Sequence, residues 1–138
     1  VSYLLDTNAV IALLTNRPST VRERLREIPT TALQLAVSSI VLFELWYGVA
    51  RSRHRADNTQ RLRSFMSGAV TVLPFEEEDA ATAGDLRAEL ERRGTPIGPY
   101  DLLIAAQALR ARVTLVTANV SEFRRVPGLN WEDWSTSR

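Results

Sequence analysis

The sequence predicts an α/β domain built on a parallel sheet with helices on both faces. Short apolar, partly β-branched runs alternate with helical patterns along the whole chain, the signature of strand–helix–strand units. The first run, Val1–Leu5, ends abruptly in Asp6-Thr7-Asn8, and an apolar helical pattern follows at once. No repeat, low-complexity segment or linker interrupts the 138 residues, so residues 1–138 read as one domain with a core of useful size.

Val1–Leu5 reads as a buried central strand that delivers Asp6 to its carboxyl end, the edge where open α/β sheets bind ligands. Taken alone, Asp6 could equally be the N-cap of the next helix. That helix carries Ala9, Val10, Ala12, Leu13 and Leu14 and stops at the loop signal Asn16-Arg17-Pro18. Ser19 caps a second helix, with Val21, Leu25 and Ile28 inward and Arg22, Glu23, Arg24, Arg26 and Glu27 solvated. Leu35–Ser38 is the second strand, and Ser38 or Ser39 caps a third helix that runs to about Arg53. Ile40, Val41, Phe43, Leu45, Trp46, Tyr47 and Val49 make this helix apolar nearly all round, so it is either buried on several sides or faces a partner. Glu44 lies in its middle, where an unpaired carboxylate is costly to bury.

Arg51–Arg63 forms an arginine-rich fourth helix ending near Met66-Ser67-Gly68, and Val70–Leu73 is a third strand closed by Pro74. Glu76-Glu77-Glu78-Asp79 opens a long helix with Ala80, Ala83, Leu86 and Leu90 inward and Gly94 at its end. Acids in a first turn suit the helix dipole, so this run is a structural start rather than a metal site. Gly98-Pro99-Tyr100-Asp101 starts another helix, with proline in the first turn. Val113–Val116 is a fourth strand leading into Thr117-Ala118-Asn119, and a last strand lies near Leu129–Trp131.

The totals remove several chemistries. There is no cysteine, which excludes disulfides, thiolate zinc sites and cysteine nucleophiles. With the single histidine His54 there is little material for a catalytic triad or a multi-histidine metal site. All 17 basic residues are arginine, which removes the P-loop lysine and Schiff-base chemistry. They balance 16 acids, so any nucleic-acid affinity must come from local patches. No basic segment leads into a signal-peptide core. The most apolar stretch, Ala32–Ala50, is broken by Gln34, Ser38, Ser39 and Glu44 and does not read as a membrane span. A soluble cytoplasmic protein is the expectation.

Four polar residues occupy comparable places. Asp6 follows the first strand, Asn119 follows the fourth, Glu44 lies in the helix after the second, and Asp101 opens the helix before the fourth. In a doubly wound sheet these positions meet at one crevice. Three carboxylates gathered there repel one another unless a cation is present. An oxygen-only cluster suits Mg²⁺ or Mn²⁺, which can activate a water and neutralise a phosphodiester.

The chain resembles the PIN-domain family, especially the VapC-type toxin ribonucleases of bacterial toxin–antitoxin pairs. The matching segments are Leu4-Leu5-Asp6-Thr7-Asn8, Ser38–Leu45 with Gly48, Gly94–Ala106, and Leu115–Asn119 with Glu122-Phe123. The resemblance implies a three-layer α/β/α sandwich around a central parallel sheet, whose acidic pocket holds Mg²⁺ or Mn²⁺ and cleaves single-stranded RNA, transfer RNA being one common kind of target. Carried over by position, Asp6 and Asp101 are metal ligands, and Glu44 acts through a water on the metal or orients the attacking one. Asn119 stands where many members carry a fourth acid, a departure that removes a negative charge. Thr7 and Thr117 hold the carboxylates, and Asn8 helps to position a phosphate. The implied partners are a small VapB-type antitoxin with a DNA-binding end, a second copy of the chain, and a larger assembly on operator DNA.

Arg124 and Arg125, just after the site loop, could line an RNA path, whereas Arg51, Arg53 and Arg55 read as a solvated helix face. Phe43, Trp46 and Tyr47 suit core or interface packing better than base stacking. His54 reads as a surface residue, Ser38 and Ser39 as caps, and Trp131 and Trp134 as packing for the last strand and tail. Two other functions compete. An aspartyl-phosphate phosphatase would use Asp6 as nucleophile, but Asn8 replaces its second acid and lysine is absent. A non-catalytic RNA-binding or scaffold domain draws support from Asn119 and is opposed by Asp6, Glu44 and Asp101.

Overall fold

The computed structural model describes residues 2–137; Val1, placed in the first strand by its sequence, lies outside them. β1 (Ser2–Leu5) leads to α1 (Thr7–Thr15) and α2 (Thr20–Glu27), and β2 (Gln34–Ser38) to α3 (Ser39–Arg51) and α4 (Arg55–Met66). Then follow β3 (Val70–Leu73), α5 (Glu77–Arg92), α6 (Pro99–Ala111), β4 (Thr114–Val116), α7 (Val120–Phe123) and β5 (Trp131–Glu132). The strands form one parallel sheet in the order β3-β2-β1-β4-β5, flanked by helices.

β1 is central, and Leu4, Leu5, Val37, Leu115 and Val116 around it are essentially inaccessible. A parallel strand covered on both faces needs an unbroken apolar run, which is why β1 lacks the polar alternation of an exposed sheet. From β1 the chain moves outward to β2 and β3, then returns to place β4 on the other side. The crevice between the carboxyl ends of β1 and β4 is therefore the topological switch point where such sheets bind ligands. Pairing of Leu5 with both Val37 and Val116 sets Ser38, Asp6 and Thr117 in one row along that edge.

Several boundaries differ from the sequence reading. The third helix stops at Arg51, two residues early, and the arginine-rich helix begins at Arg55. Ser52 caps the former through its backbone N–H to Val49 O, which leaves a turn between them. β5 is Trp131–Glu132, later than expected, because its partners in β4 are Leu115 and Val116. The tail then packs inward: Trp134 is 1% exposed and meets Tyr3 edge-on at 5.1 Å. Gly94 ends α5 at φ 70°, a backbone conformation that favours glycine. α3 is not enclosed all round, since Val41 and Leu45 are buried while Phe43 and Tyr47 are more than half exposed. No helix among the described residues is long and apolar enough to cross a membrane.

Two polar ties fix the helices around the edge. Ser38 is fully buried, accepts the Ile40 N–H as N-cap of α3, and donates to Gln107 Oε1. Gln107 in turn donates to Leu73 O at 3.1 Å, tying α6 to β2 and β3. On the far side, buried Asp79 accepts from Arg110 of α6 and from the Glu76 N–H. Burial pushes the Asp79 carboxyl up, but these hydrogen bonds outweigh it and hold it below the usual carboxylate range.

Asp79→Ala should lower stability by about 1–3 kcal/mol, the usual cost of leaving such partners unsatisfied, measured by urea denaturation near pH 7. A depressed carboxyl contributes above its unfolded value and loses that contribution as it protonates. The gap between wild type and variant should therefore narrow as pH falls below 3.8.

Candidate active site

Asp6 leaves β1 at the switch point and is 6% exposed. Its Oδ1 accepts the Ala9 N–H at 2.8 Å, so Asp6 is also the N-cap of α1. The cap uses one carboxylate oxygen, and capping and a functional role are compatible in this residue. The buried Thr117 hydroxyl hydrogen-bonds Asp6, and its oxygen accepts the Asn119 N–H at 2.9 Å. Burial raises the Asp6 carboxyl, opposed by these bonds and reinforced by the negative charges of Glu44 and Asp133.

Glu44 reaches the crevice from α3. Thr7, the first residue of α1, donates its hydroxyl to Glu44 Oε1 at 2.8 Å. That bond supplies the compensation required by a half-buried carboxylate in an apolar helix. Asp101 enters from the first turn of α6, where Pro99 sets the helix start and the Gly98 carbonyl accepts the Leu102 N–H. The Asn119 amide bridges two acids, donating to Asp101 Oδ2 at 3.0 Å and to Glu122 Oε2 at 2.7 Å. Glu122 Oε1 accepts the Gly98 N–H at 2.9 Å, locking α7 to the start of α6.

Asp101 and Glu122 act directly on each other, and their carboxyls are pushed in opposite directions. Burial, then a hydrogen bond and charge repulsion from Glu122, then the charge of Asp6 push the Asp101 carboxyl up to about 7, against the Asn119 hydrogen bond. The same bond from Asp101 holds Glu122 below its ordinary value, helped by Gly98, Asn119 and the Arg125 charge. Four acids, Asp6, Glu44, Asp101 and Glu122, thus act on one another across the crevice.

The donor chemistry fits a hard divalent cation. All donors are oxygens, and a carboxyl near 7 marks negative charge that a proton only partly relieves. Among the described residues no three acids or histidines are gathered into a ready-made cage. The acids instead stand as pairs, Glu44 near Asp6 and Glu122 against Asp101. That suits an ion held by one or two carboxylates with the remaining positions taken by water.

The other residues singled out from the sequence are dispersed. Arg125 donates to Pro96 O at 2.7 Å and braces the loop before Gly98, while Arg124 is exposed beside it. Asn8 is exposed in the first turn of α1. Exposed His54 precedes α4. Ser39 accepts the Phe75 N–H, so both serines serve the backbone. Sequence reasoning gave no role to Glu122, although it falls three residues after Asn119 on the same helical turn, nor to Asp133. Placing the last strand at 129–131 hid Asp133, which the true register of β5 carries to the same edge.

A PIN domain model matches residues 3–129. A tRNA(fMet)-specific endonuclease VapC of Salmonella typhimurium is 39% identical over 132 residues, 96% of this chain and 97% of that protein. Ribonuclease VapC2 of Rickettsia felis is 39% identical with the same coverage. The solved VapBC2 from Rickettsia felis, bound to a DNA fragment from its promoter, superposes with a TM-score of 0.89 at 37% identity, covering 97% of this chain and 99% of the other. The chain belongs to the PIN-domain family and, within it, to the VapC-type ribonucleases. PIN-domain ribonucleases are in general dependent on a divalent metal.

The raised Asp101 carboxyl gives a direct test of the crevice. Carbon-13 NMR of the metal-free protein should show the Asp101 carboxyl titrating near pH 7, and Asn119→Leu, which removes the opposing amide, should raise that midpoint. Because the folded value lies above the unfolded 3.8, this group should cost stability progressively as pH rises from 3.8 to about 7. Added Mg²⁺ or Mn²⁺ should move the midpoint down, because the ion competes with the proton.

Proposed function

We propose that the chain is a Mg²⁺- or Mn²⁺-dependent toxin endoribonuclease that hydrolyses phosphodiester bonds in single-stranded regions of RNA and is restrained by a cognate antitoxin. The observation that carries this reading is the pair of acid pairs, Asp6 with Glu44 and Asp101 with Glu122, along the β1/β4 switch point, with hydrogen-bonded supports for each. Asp6 and Asp101 would hold the ion, which would supply positive charge to activate a water and to stabilise charge building up on the phosphate. Glu44, fixed by Thr7, orients the attacking water. Asn119 holds Asp101 and Glu122 in register; Glu122 supplies the fourth negative charge that Asn119 lacks, which answers the main argument for a non-catalytic scaffold. Asn8, Arg124 and Arg125 meet the RNA backbone outside the pocket. The products carry a 5′-phosphate and a 3′-hydroxyl.

The relative named for initiator tRNA makes transfer RNA the first substrate to test. Solved relatives are complexes with an antitoxin, some on promoter DNA, so a VapB-type antitoxin and operator DNA are the proposed partners. A groove lined by Thr7, Ile11, Leu14, Glu44, Leu45 and Leu62 runs from the acids along α1, α3 and α4. Its apolar floor suits an amphipathic antitoxin segment, and an arginine at the end of that segment would reach Glu44 and compete with the metal for carboxylate. The exposed aromatics Phe43, Tyr47 and Tyr100, with Phe43 and Tyr100 in edge contact at 5.8 Å, suit a second copy of the chain. We place the working protein, a single domain over residues 1–138, in the cytoplasm.

Asp6→Asn and Asp101→Ala should each abolish divalent-metal-dependent cleavage of tRNA, a loss of at least about 10³-fold in kcat, comparable to losing a principal electrostatic stabiliser. Glu122→Gln should reduce it by a smaller factor. Gel-based cleavage assays with excess chelator as control read the result. Full activity of either aspartate variant, or of the wild type in chelator, would overturn the proposal.

A further inference from the structure

We infer that the cleft on the β5 side of Asp6 is a guanine subsite, which seats one base of the RNA strand next to the cleaved phosphate. The inference rests on the ribonuclease reading above and names what its substrate presents. The cleft has a volume of about 240 Å³, below the roughly 300–1,000 Å³ typical of drug-sized ligands. It therefore suits a fragment the size of a base. Ala9 and Thr117, which hydrogen-bond the Asp6 carboxylate, are part of its wall, so its occupant lies against the catalytic edge.

The register of the sheet builds the far wall. Val116 pairs with Glu132, and the Thr117 N–H donates to Glu132 O at 3.0 Å. This places Asp133 beside Thr117 at the end of the row that begins with Ser38 and Asp6. Trp134, buried against Tyr3, anchors the segment. Asp133 Oδ1 accepts both the N–H and the hydroxyl of Ser135, which orients the carboxylate and leaves Oδ2 available.

Its lining includes the buried apolar residues Ala12 and Val116, the exposed Ile11, and the polar residues Asn8, Arg17 and Asp133. Among the described residues the side chains of Asn8 and Arg17 have no hydrogen-bond partner, and Arg17 and Asp133 line the same cleft without forming an ion pair. A guanidinium and a carboxylate left unpaired across an apolar slot form a complementary frame for a polar, flat ligand. Guanine offers adjacent acceptors, O6 and N7, to an arginine, and adjacent donors, N1–H and N2–H₂, to the free Oδ2 of Asp133. No other RNA base presents both pairs. A base lacking them would leave these groups desolvated and unsatisfied, which costs affinity.

The test combines binding with cleavage. Isothermal titration calorimetry of the full chain with the four 5′-mononucleotides, and ribose 5-phosphate as control, should show GMP binding at least tenfold more tightly than the others. Asp133→Asn, which puts an amide donor in place of the free Oδ2, and Arg17→Ala should each abolish that preference, with circular dichroism confirming that the variants fold. Cut sites mapped on a randomised RNA should show guanine enriched at one position beside the scissile bond for the wild type, and no enrichment for Asp133→Asn. Equal binding of the four mononucleotides, or a guanine preference unchanged in Asp133→Asn, would overturn the inference. Asp133-dependent GMP binding without RNA cleavage would support the subsite and sink the ribonuclease reading instead.

Discussion

The structure depends on crowding negative charge at the buried carboxyl edge of a parallel sheet. Coulomb repulsion between carboxylates is several-fold stronger in such an environment than in bulk water, and each charge also loses hydration. The surrounding groups compensate one at a time. Asp6 takes the Ala9 N–H and the Thr117 hydroxyl, Glu44 takes the Thr7 hydroxyl, and Glu122 takes the Gly98 N–H. Asp101 receives a single amide bond from Asn119, and its carboxyl is pushed up to about 7. On the proposed reading, a bound cation would relieve the repulsion that the hydrogen bonds leave in place.

These supports come from elements whose first duty is folding. The caps of α1 and α3 begin at Asp6 and Ser38, neighbours in the row set by β1 and β2. Gln107 reaches across to β3 from the helix that carries Asp101, so α6 cannot shift without breaking a buried hydrogen bond. Preorganisation of this kind keeps charges in place without reorganisation at the moment of reaction. It also separates two clefts on either side of α1. The one with Glu44 runs along three helices and is mostly apolar, whereas the one with Asp133 is of similar volume but carries Asn8, Arg17 and Asp133 in its lining.

Much of this was legible in the chain. The apolar run before Asp6, the proline at the start of α6 and the apolar alternation of strand and helix signals fix the parallel sheet and the places of Asp6, Glu44 and Asp101, because strand ends and helix starts are local features. What depended on tertiary pairing was not legible. The register of β5 follows from its contact with β4, so sequence pattern alone puts the last strand too early and leaves Asp133 away from the edge. Glu122 sat in a recognised segment, yet its role arises from contact with Gly98 and Asp101, distant in sequence. Asn119, read as a lost acid, instead donates to two carboxylates, which an aspartate could not do. The exposure of Phe43 and Tyr47 likewise could not be told from burial by periodicity alone.

On the proposed reading, the edge carboxylates hold a divalent ion in exchange for a proton. Calorimetric titration with Mn²⁺ near pH 7, repeated in buffers of different ionisation enthalpy, measures ion uptake and proton release together. The expected result is saturable binding with proton release in the wild type that is lost in Asp6→Asn. Absence of Mn²⁺ uptake by the wild type, or uptake that persists unchanged in Asp6→Asn, would contradict it.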